Sequence, residues 1–428
     1  MIIKNFRNIA LSADKKIVLN VLEAGLLAAM PEATLKKIIR KKMLIVDKNH
    51  IHLSKYKRIF VIGFGKASDY MLTTVNLLTD IDGGIIVIPE GTNSILKNKK
   101  FEIIHAGHPV PNKKSVQAGK KILEFIKTRK KTDLIIFLIS GGGSSLVSLP
   151  DEITLNDKQI MTNLLLKSGA NIHEINCVRK HLSKIKGGRM SEYLVCNAVS
   201  LVMSDVVGDD LSVIASGPTY FDNTTYRDAE KILQKYNLQK FAPKSVLQRI
   251  RLGVLRKIPD TPKRQKIKNY IIATNKDCLT AMAEKARGFG LSVKDVYPIT
   301  GEAKSAAKKL LKIIPKKTNS CLIFGGETTV RVVGNGRGGR NQELVLYCLT
   351  ELQNMRKKIT IASIDTDGKD GNTNAAGAIM NNSKFESKNI NRFLHNNDSY
   401  HFFKKYHGLI ITGPTHTNLM DIGVMLIS

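Results

Sequence analysis

Short apolar, β-branched runs that alternate with amphipathic stretches constrain this chain more than any other feature. Arg58 to Ile62, Gly84 to Ile88 and Asp133 to Ile139 read as strands, with helices from Lys66 and from Ser115 to Ile126 between them. The strands are apolar throughout, as burial on both faces requires. That alternation specifies an α/β fold with a doubly wound, mostly parallel sheet. Two helices precede it, Lys16 to Met30 with Leu19, Leu22, Leu26 and Leu27 on one face, and Glu32 to Lys41. From Thr219 to Lys268 the chain turns polar, helical and proline-marked, and Tyr270 to Thr274 reads as a strand that restarts the alternation. We therefore expect two α/β domains with a boundary near Phe241: a larger, Rossmann-like one over 1–241 and a second over 242–428. The second is expected to close on strands Ile359 to Ile364, Gly408 to Ile411 and Val424 to Ile427.

A length of 428 residues allows two cores. With 67 Lys plus Arg against 36 Asp plus Glu, the formal charge is +31, so nucleic acid, anionic membrane and phosphorylated metabolites are the partner classes to weigh. The basic residues are scattered, without a helix-turn-helix, zinc-finger or aromatic-studded RNA-binding signature. A solvated lysine-rich surface is the plainer reading, with no nucleic-acid or membrane partner expected. The five cysteines form no C-x-x-C pair and fit a reduced, intracellular protein. The start lacks a signal-peptide core, and no run of roughly 18 apolar residues occurs, so a cytoplasmic location is expected.

In α/β sheets ligands bind beyond the carboxyl ends of strands, and the loops there carry the chemistry. Gly63-Phe64-Gly65-Lys66 joins a strand to a helix; its glycines admit close backbone approach and Lys66 brings a mobile charge. It lacks the spacing of a P-loop, and alone reads first as a tight packing turn. Ser140-Gly141-Gly142-Gly143-Ser144-Ser145 follows the most hydrophobic strand, and its N–H groups and hydroxyls could cradle a phosphate or carboxylate. Asn176 to Arg189 is a cationic segment that alone suits a solvated face. Asp205, Asp209 and Asp210 surround Gly208, a grouping suited to Mg²⁺ or to capping turns. Arg337 and Arg340 lie in a glycine-rich loop opening a helix, which reads as an anion clamp. Asp365 to Gly377 resembles a calcium loop but lacks its final glutamate, and His105-x-x-His108 sits on a strand-to-turn junction that does not suit zinc.

Together these segments, with H-P-V-P, V-R-K-H-L-S-K-I-K-G-G, I-A-S-G-P-T, G-G-E-T-T-V, D-T-D-G and T-G-P-T-H-T-N, resemble the glycerate 2-kinases that carry a MOFRL-type C-terminal domain. The resemblance spans nearly the whole chain. It implies an ATP- and Mg²⁺-dependent kinase phosphorylating D-glycerate at the 2-hydroxyl, with the active site in the interdomain cleft. Lys66, Asp205 and Arg340 then match catalytic positions, and Asp205 and Asp209 are the candidates for holding Mg²⁺. Substrate or nucleotide contacts are expected from Gly65, Ser140, Gly141, Gly142, Gly143, Ser144, Ser145, Lys180, Glu327, Arg337, Gly339, Asn341 and Asp367. Val207, Leu211, Asn374 and His416 depart from the family pattern. A homodimer is the assembly to test. The competing readings are an NAD(P)H-dependent hydroxypyruvate reductase, which lacks a full G-x-G-x-x-G with its acidic ribose ligand, and a basic nucleic-acid-binding protein.

Overall fold

In the computed structural model, which describes residues 1–40, 42–353, 355–382 and 390–428, the chain forms two compact units. One is Thr34–Ile272; the other joins Met1–Ala33 to Ala273–Ser428.

The first unit begins with a small antiparallel ribbon, β1 (Ile39–Arg40), β2 (Met43–Val46) and β3 (Asn49–His52). Its main sheet contains β4 (Arg58–Phe64), β5 (Gly83–Pro89), β6 (Phe101–Ala106), β7 (Asp133–Ile139), β8 (Asn197–Met203) and β9 (Lys268–Ala273), in the order β6-β5-β4-β7-β8-β9. The pairs from β6 through β8 are all parallel. All seven residues of β7 are buried: Leu134 to Ile139 are an unbroken apolar run, and the Asp133 carboxylate is paired with Arg58. Helix Lys113–Lys127 starts on a capping box between Asn112 and Ser115, and buries Ala118, Ile122, Leu123 and Ile126 in the core with Phe137 and Ile139. The order moves outward from β4 to β6, then returns to the other side of β4 for β7. That reversal is a topological switch point, the place where open α/β sheets part to admit a ligand.

Two sequence expectations change here. The segment 219–268 is an integral part of this unit instead of a boundary. Tyr226, Ala229 and Leu233 of helix Tyr226–Lys235, with Val246 and Ile250 of helix Lys244–Val254, form one core with Met161, Leu165, Ile175 and Val178. The run at 270–274 likewise belongs to the edge strand β9 of the first sheet, so the division falls at 272, after Phe241. Polarity and prolines suggested a domain boundary there, but apolar residues at helical spacing anchor the segment in the first unit.

The expected first domain over 1–241 is also corrected at its start: residues 1–33 belong to the second unit, and helix Pro31–Ile38 crosses the division. Helix Ala13–Ala29, capped by the Ser12 side chain, packs on helix Asn275–Arg287 and on the C-terminal strand. Gly25 lets them approach: a Cβ there would lie 2.8 Å from both Ile422 and Met282. The next helix runs Pro31–Ile38, with Pro31 in its first turn, and the predicted endpoint Lys41 lies outside the described residues. The sheet has β10 (Ser292–Glu302), β11 (Ser320–Thr329), β12 (Ile359–Asp365), β13 (Gly377–Asn381), β14 (Leu409–Ile410) and β15 (Asp421–Ile427) in the order β10-β11-β15-β12-β13-β14. Only β10 and β11 pair in parallel; the rest are antiparallel.

Candidate active site

At the switch point of the first unit, the turns after β4 and β7 interlock. Lys66 N–H donates to the Gly141 carbonyl (2.9 Å), Ser140 N–H to Phe64 (3.2 Å), and Ala67 N–H to Ser140 Oγ (2.9 Å). Gly65 has φ +127°, and a Cβ there would stand 2.2 Å from Ser140 Oγ. Glycine at this position is therefore a condition of the two turns meeting. Gly142 is left-handed (φ +84°), and its open face looks onto the His108 ring and the Lys66 stem. The G-x-G-K pattern is thus a packing turn at the strand ends: Gly65 is buried against Ser140, while Lys66 and Gly142 stay partly exposed.

A third strained turn presses on the same place. Ala215, Ser216 and Gly217 have φ of +51°, +62° and +58° in succession, and a Cβ on Gly143 would lie 3.0 Å from Ala215 Cβ. Left-handed geometry at two non-glycine residues costs roughly 1–2 kcal/mol each, so surrounding contacts must hold it. Ser144 Oγ and Ser216 Oγ are 3.1 Å apart, and Ser216 donates to Asn176 Oδ1 (2.9 Å). Ser145 Oγ turns back to the Gly142 carbonyl (3.1 Å).

The cationic segment is buried, not a solvated face: Lys180, Lys186 and Arg189 are all inside. Lys180 is committed to Asp222 (3.3 Å), whose carboxylate also accepts from Thr224 and Thr261, and it borders a 230 Å³ pocket shared with Asn176 and Asp210. After β8, Asp205 is half-buried. Asp209 has φ +57°, and its Oδ1 is buried without a hydrogen-bond partner among the described residues. Asp210 instead accepts from Ser212 N–H (2.8 Å) and faces His173 (3.7 Å). Among the described residues, no three His, Cys, Asp or Glu side chains gather into a metal cage, so the expected grouping of three aspartates does not form.

The second unit carries an ionic cluster at the ends of β11, β12 and β15, in which Asp365 and Asp421 are buried and Glu327 is exposed. Arg340, first residue of helix Arg340–Leu352, donates through Nε to Asp421 (2.8 Å), through Nη1 to Glu327 (2.6 Å) and through Nη2 to Asp365 (2.8 Å). Asp365 and Asp421 are directly opposed across the antiparallel β12–β15 pair, so the guanidinium holds together carboxylates that would otherwise repel. Burial pushes the Asp421 carboxyl up to about 7 against the pull of Arg340. It pushes Asp365 well above the usual range too, with repulsion from Asp367 and Asp421 added. Burial disfavours the Arg340 charge, but its carboxylates outweigh that and raise its pKa.

The anion clamp expected of Arg337 and Arg340 is corrected accordingly. Arg340 is engaged by carboxylates, while exposed Arg337 lies over the Tyr400 ring at 4.5 Å and donates to the Asn372 carbonyl. The helix N-terminus is likewise filled from within. Asp370 accepts from the N–H groups of Asn341 (3.1 Å) and Gln342 (2.9 Å), and a Cβ on Gly339 would lie 2.3 Å from its carboxyl carbon. A carboxylate satisfies the helix start as well as a phosphate would. Asn341 also donates to Asp421 (2.8 Å), and Asp367 Oδ1 accepts from Lys369 N–H (2.9 Å). Sequence reasoning missed Asp421; the signal was a single carboxylate opening the otherwise apolar run Ile422–Ile427.

A doubly wound sheet with glycine turns and a lysine at its switch point belongs to the open α/β proteins whose ligand sites lie at the carboxyl ends of the strands. The comparisons narrow that class. Residues 17–251 match the family described as "Domain of unknown function (DUF4147)", and residues 320–421 match the MOFRL family. The chain is 37% identical to D-glycerate 2-kinase of Thermotoga maritima, covering 96% of this chain and 98% of that one. It is 37% identical to glycerate 2-kinase of Pyrococcus horikoshii, covering 87% and 88%. The crystal structure of glycerate kinase from Thermotoga maritima superposes with a TM-score of 0.84 at 36% identity, over 96% of this chain and 99% of that one. The chain belongs to the MOFRL-type glycerate kinase family.

Proposed function

We propose that this protein is an ATP-dependent glycerate 2-kinase, transferring the terminal phosphoryl group of ATP to the 2-hydroxyl of D-glycerate. One observation carries the reading: similarity to proteins named glycerate 2-kinase runs through both units over nearly their full length. Phosphoryl transfer asks for positioning and charge neutralisation more than covalent chemistry, which suits turns held rigid by mutual contact. Lys66 is assigned to the transferring phosphoryl group, and the Gly141–Ser145 turn to cradling an anionic substrate group. Asp205 is assigned to accepting the hydroxyl proton. Arg340 acts as a positioning residue, fixing Glu327, Asp365 and Asp421.

The residues fit a magnesium ion that arrives on nucleotide phosphates, which needs one or two carboxylates, and do not fit an all-protein cage. Asp209, with its unsatisfied Oδ1, would hold it. When bound, it would neutralise phosphate charge. The test is incubation with ATP, Mg²⁺ and D-glycerate, with the product read by an enolase-coupled assay and by NMR. A signal that requires added phosphoglycerate mutase would mean 3-phosphoglycerate and overturn the regiochemistry. Absence of any phosphoglycerate would overturn the activity.

A further inference from the structure

Lys158, Arg179 and Lys186 of the first unit have no carboxylate paired with them among the described residues. Lys186 is 1% exposed and Lys158 is 5% exposed, while Arg179 is half-buried and gives the group its solvent-facing edge. Lys186 Nζ donates to the Gly143 carbonyl (3.0 Å) and lies 5.8 Å from the centre of the Phe64 ring. Lys158 Nζ donates to Ser148 Oγ (3.1 Å). An ammonium has three donors, so each lysine keeps two unspent. Arg179 is three residues beyond Asn176 on helix Ile172–His181 and so shares its face. Through Ser216, Asn176 reaches Ser144.

Neighbouring buried cations in this unit are treated differently. Lys180 has Asp222, and Arg249 has Asp151. The fold supplies carboxylates where charge is structural, and supplies none to Lys158, Arg179 and Lys186. Burying unpaired charge costs several kcal/mol per ion, so a fold retains such a group where something else provides the anion.

The geometry points to an oxyanion subsite formed by Lys158, Arg179 and Lys186 behind the Gly142–Ser145 turn, taking a small carboxylate or phosphate group. It rests on the kinase reading only for the ligand's source, the glycerate carboxylate or a phosphate of ATP. Burial and the other two cations hold Lys186 well below the usual lysine range, and burial with Arg179 lowers Lys158 to about 7. An arriving anion would relieve both.

The experiment is calorimetric titration of the full chain with inorganic phosphate, D-glycerate and ATP, separately and without turnover. The parent is compared with Lys186→Met and Arg179→Gln, and each variant is melted. Losing a charge-assisted contact should weaken the ligand that uses the subsite about tenfold or more. Glycerate alone weakened identifies the carboxylate; phosphate and ATP weakened identify the phosphate; either supports the subsite. Lys186→Met is expected to melt at or above the parent temperature, since an unpaired charge gives way to an apolar chain. Should it fail to fold, Arg179→Gln at the open edge decides. Folded variants that bind all three ligands like the parent would overturn the subsite, whereas binding without phosphorylation would sink the kinase reading alone.

Discussion

Replacing Lys66 by Met separates chemistry from packing at the switch point. The main-chain N–H of Lys66, which locks onto the Gly141 carbonyl at 2.9 Å, is untouched by the change. A Met stem can follow the same path past Gly142, where Lys66 Cγ lies 3.6 Å from the position a Cβ would take. The residue is only half-buried, so the fold should lose no more than about 0.5 kcal/mol. The reaction should lose far more, because one charge aimed at a developing anion in a closed site is worth about 3 kcal/mol, or roughly a hundredfold in kcat. Nucleotide KM should stay near the parent value if the ammonium acts on the transition state, and rise if it merely binds ATP. Enolase-coupled turnover and a thermal melt on the same preparation give both quantities. A variant with parental kcat and a clearly lowered Tm would refute the assignment and leave Lys66 a packing residue.

Gly142→Ala should cost about 1–2 kcal/mol from its left-handed backbone alone, read by denaturant unfolding, and should depress turnover further because its Cβ would stand 2.9 Å from the His108 ring. Asp370→Asn removes the charge at the start of helix Arg340–Leu352 and leaves one oxygen where two accept, so a loss of about 1–2 kcal/mol is expected in the same measurement. Asp421 has a folded pKa near 7, above its unfolded value, so the stability linked to its proton is complete in acid and is lost as pH rises from about 4 through 7. The melting temperature of the parent should therefore fall relative to that of Asp421→Asn as pH rises from 5 to 8; a constant difference would contradict the raised pKa.

The parallel layer was legible because burial on both faces leaves only one composition open to strands such as Asp133–Ile139. The loops were legible for a related reason, since consecutive glycines survive only where another chain segment occupies the side-chain space. What Gly65 and Gly339 admit was not legible: Ser140 in one case and the protein's own Asp370 in the other. A glycine-rich loop with arginines at a helix start looks the same whether its anion is a ligand or an aspartate some 30 residues downstream. Likewise Thr219 to Lys268 reads as the site of a domain boundary because its charges and prolines dominate the composition. Tyr226, Leu233, Val246 and Ile250, few but correctly spaced, decide its place.

Net charge misled in the same way. A formal +31 points to a basic surface, yet much of the charge with chemical consequences is buried, and it is unbalanced in opposite senses in the two units. In the first unit Lys158, Arg179 and Lys186 stand without carboxylates among the described residues; in the second, Glu327, Asp365 and Asp421 share one arginine. Each imbalance has its own chemical consequence. A surplus of buried cations is relieved by binding an anion. A surplus of buried carboxylates is relieved by taking up a proton, which is why Asp421 and Asp365 are shifted upward. A kinase acting on an acid must hold a substrate that is already negative while adding further negative charge to it, and the cationic turn of the first unit suits the holding. Arg340 cannot contribute to that without giving up contacts to three carboxylates, which is the physical reason to expect Arg340→Ala to unfold the second unit's cluster before it alters any rate constant.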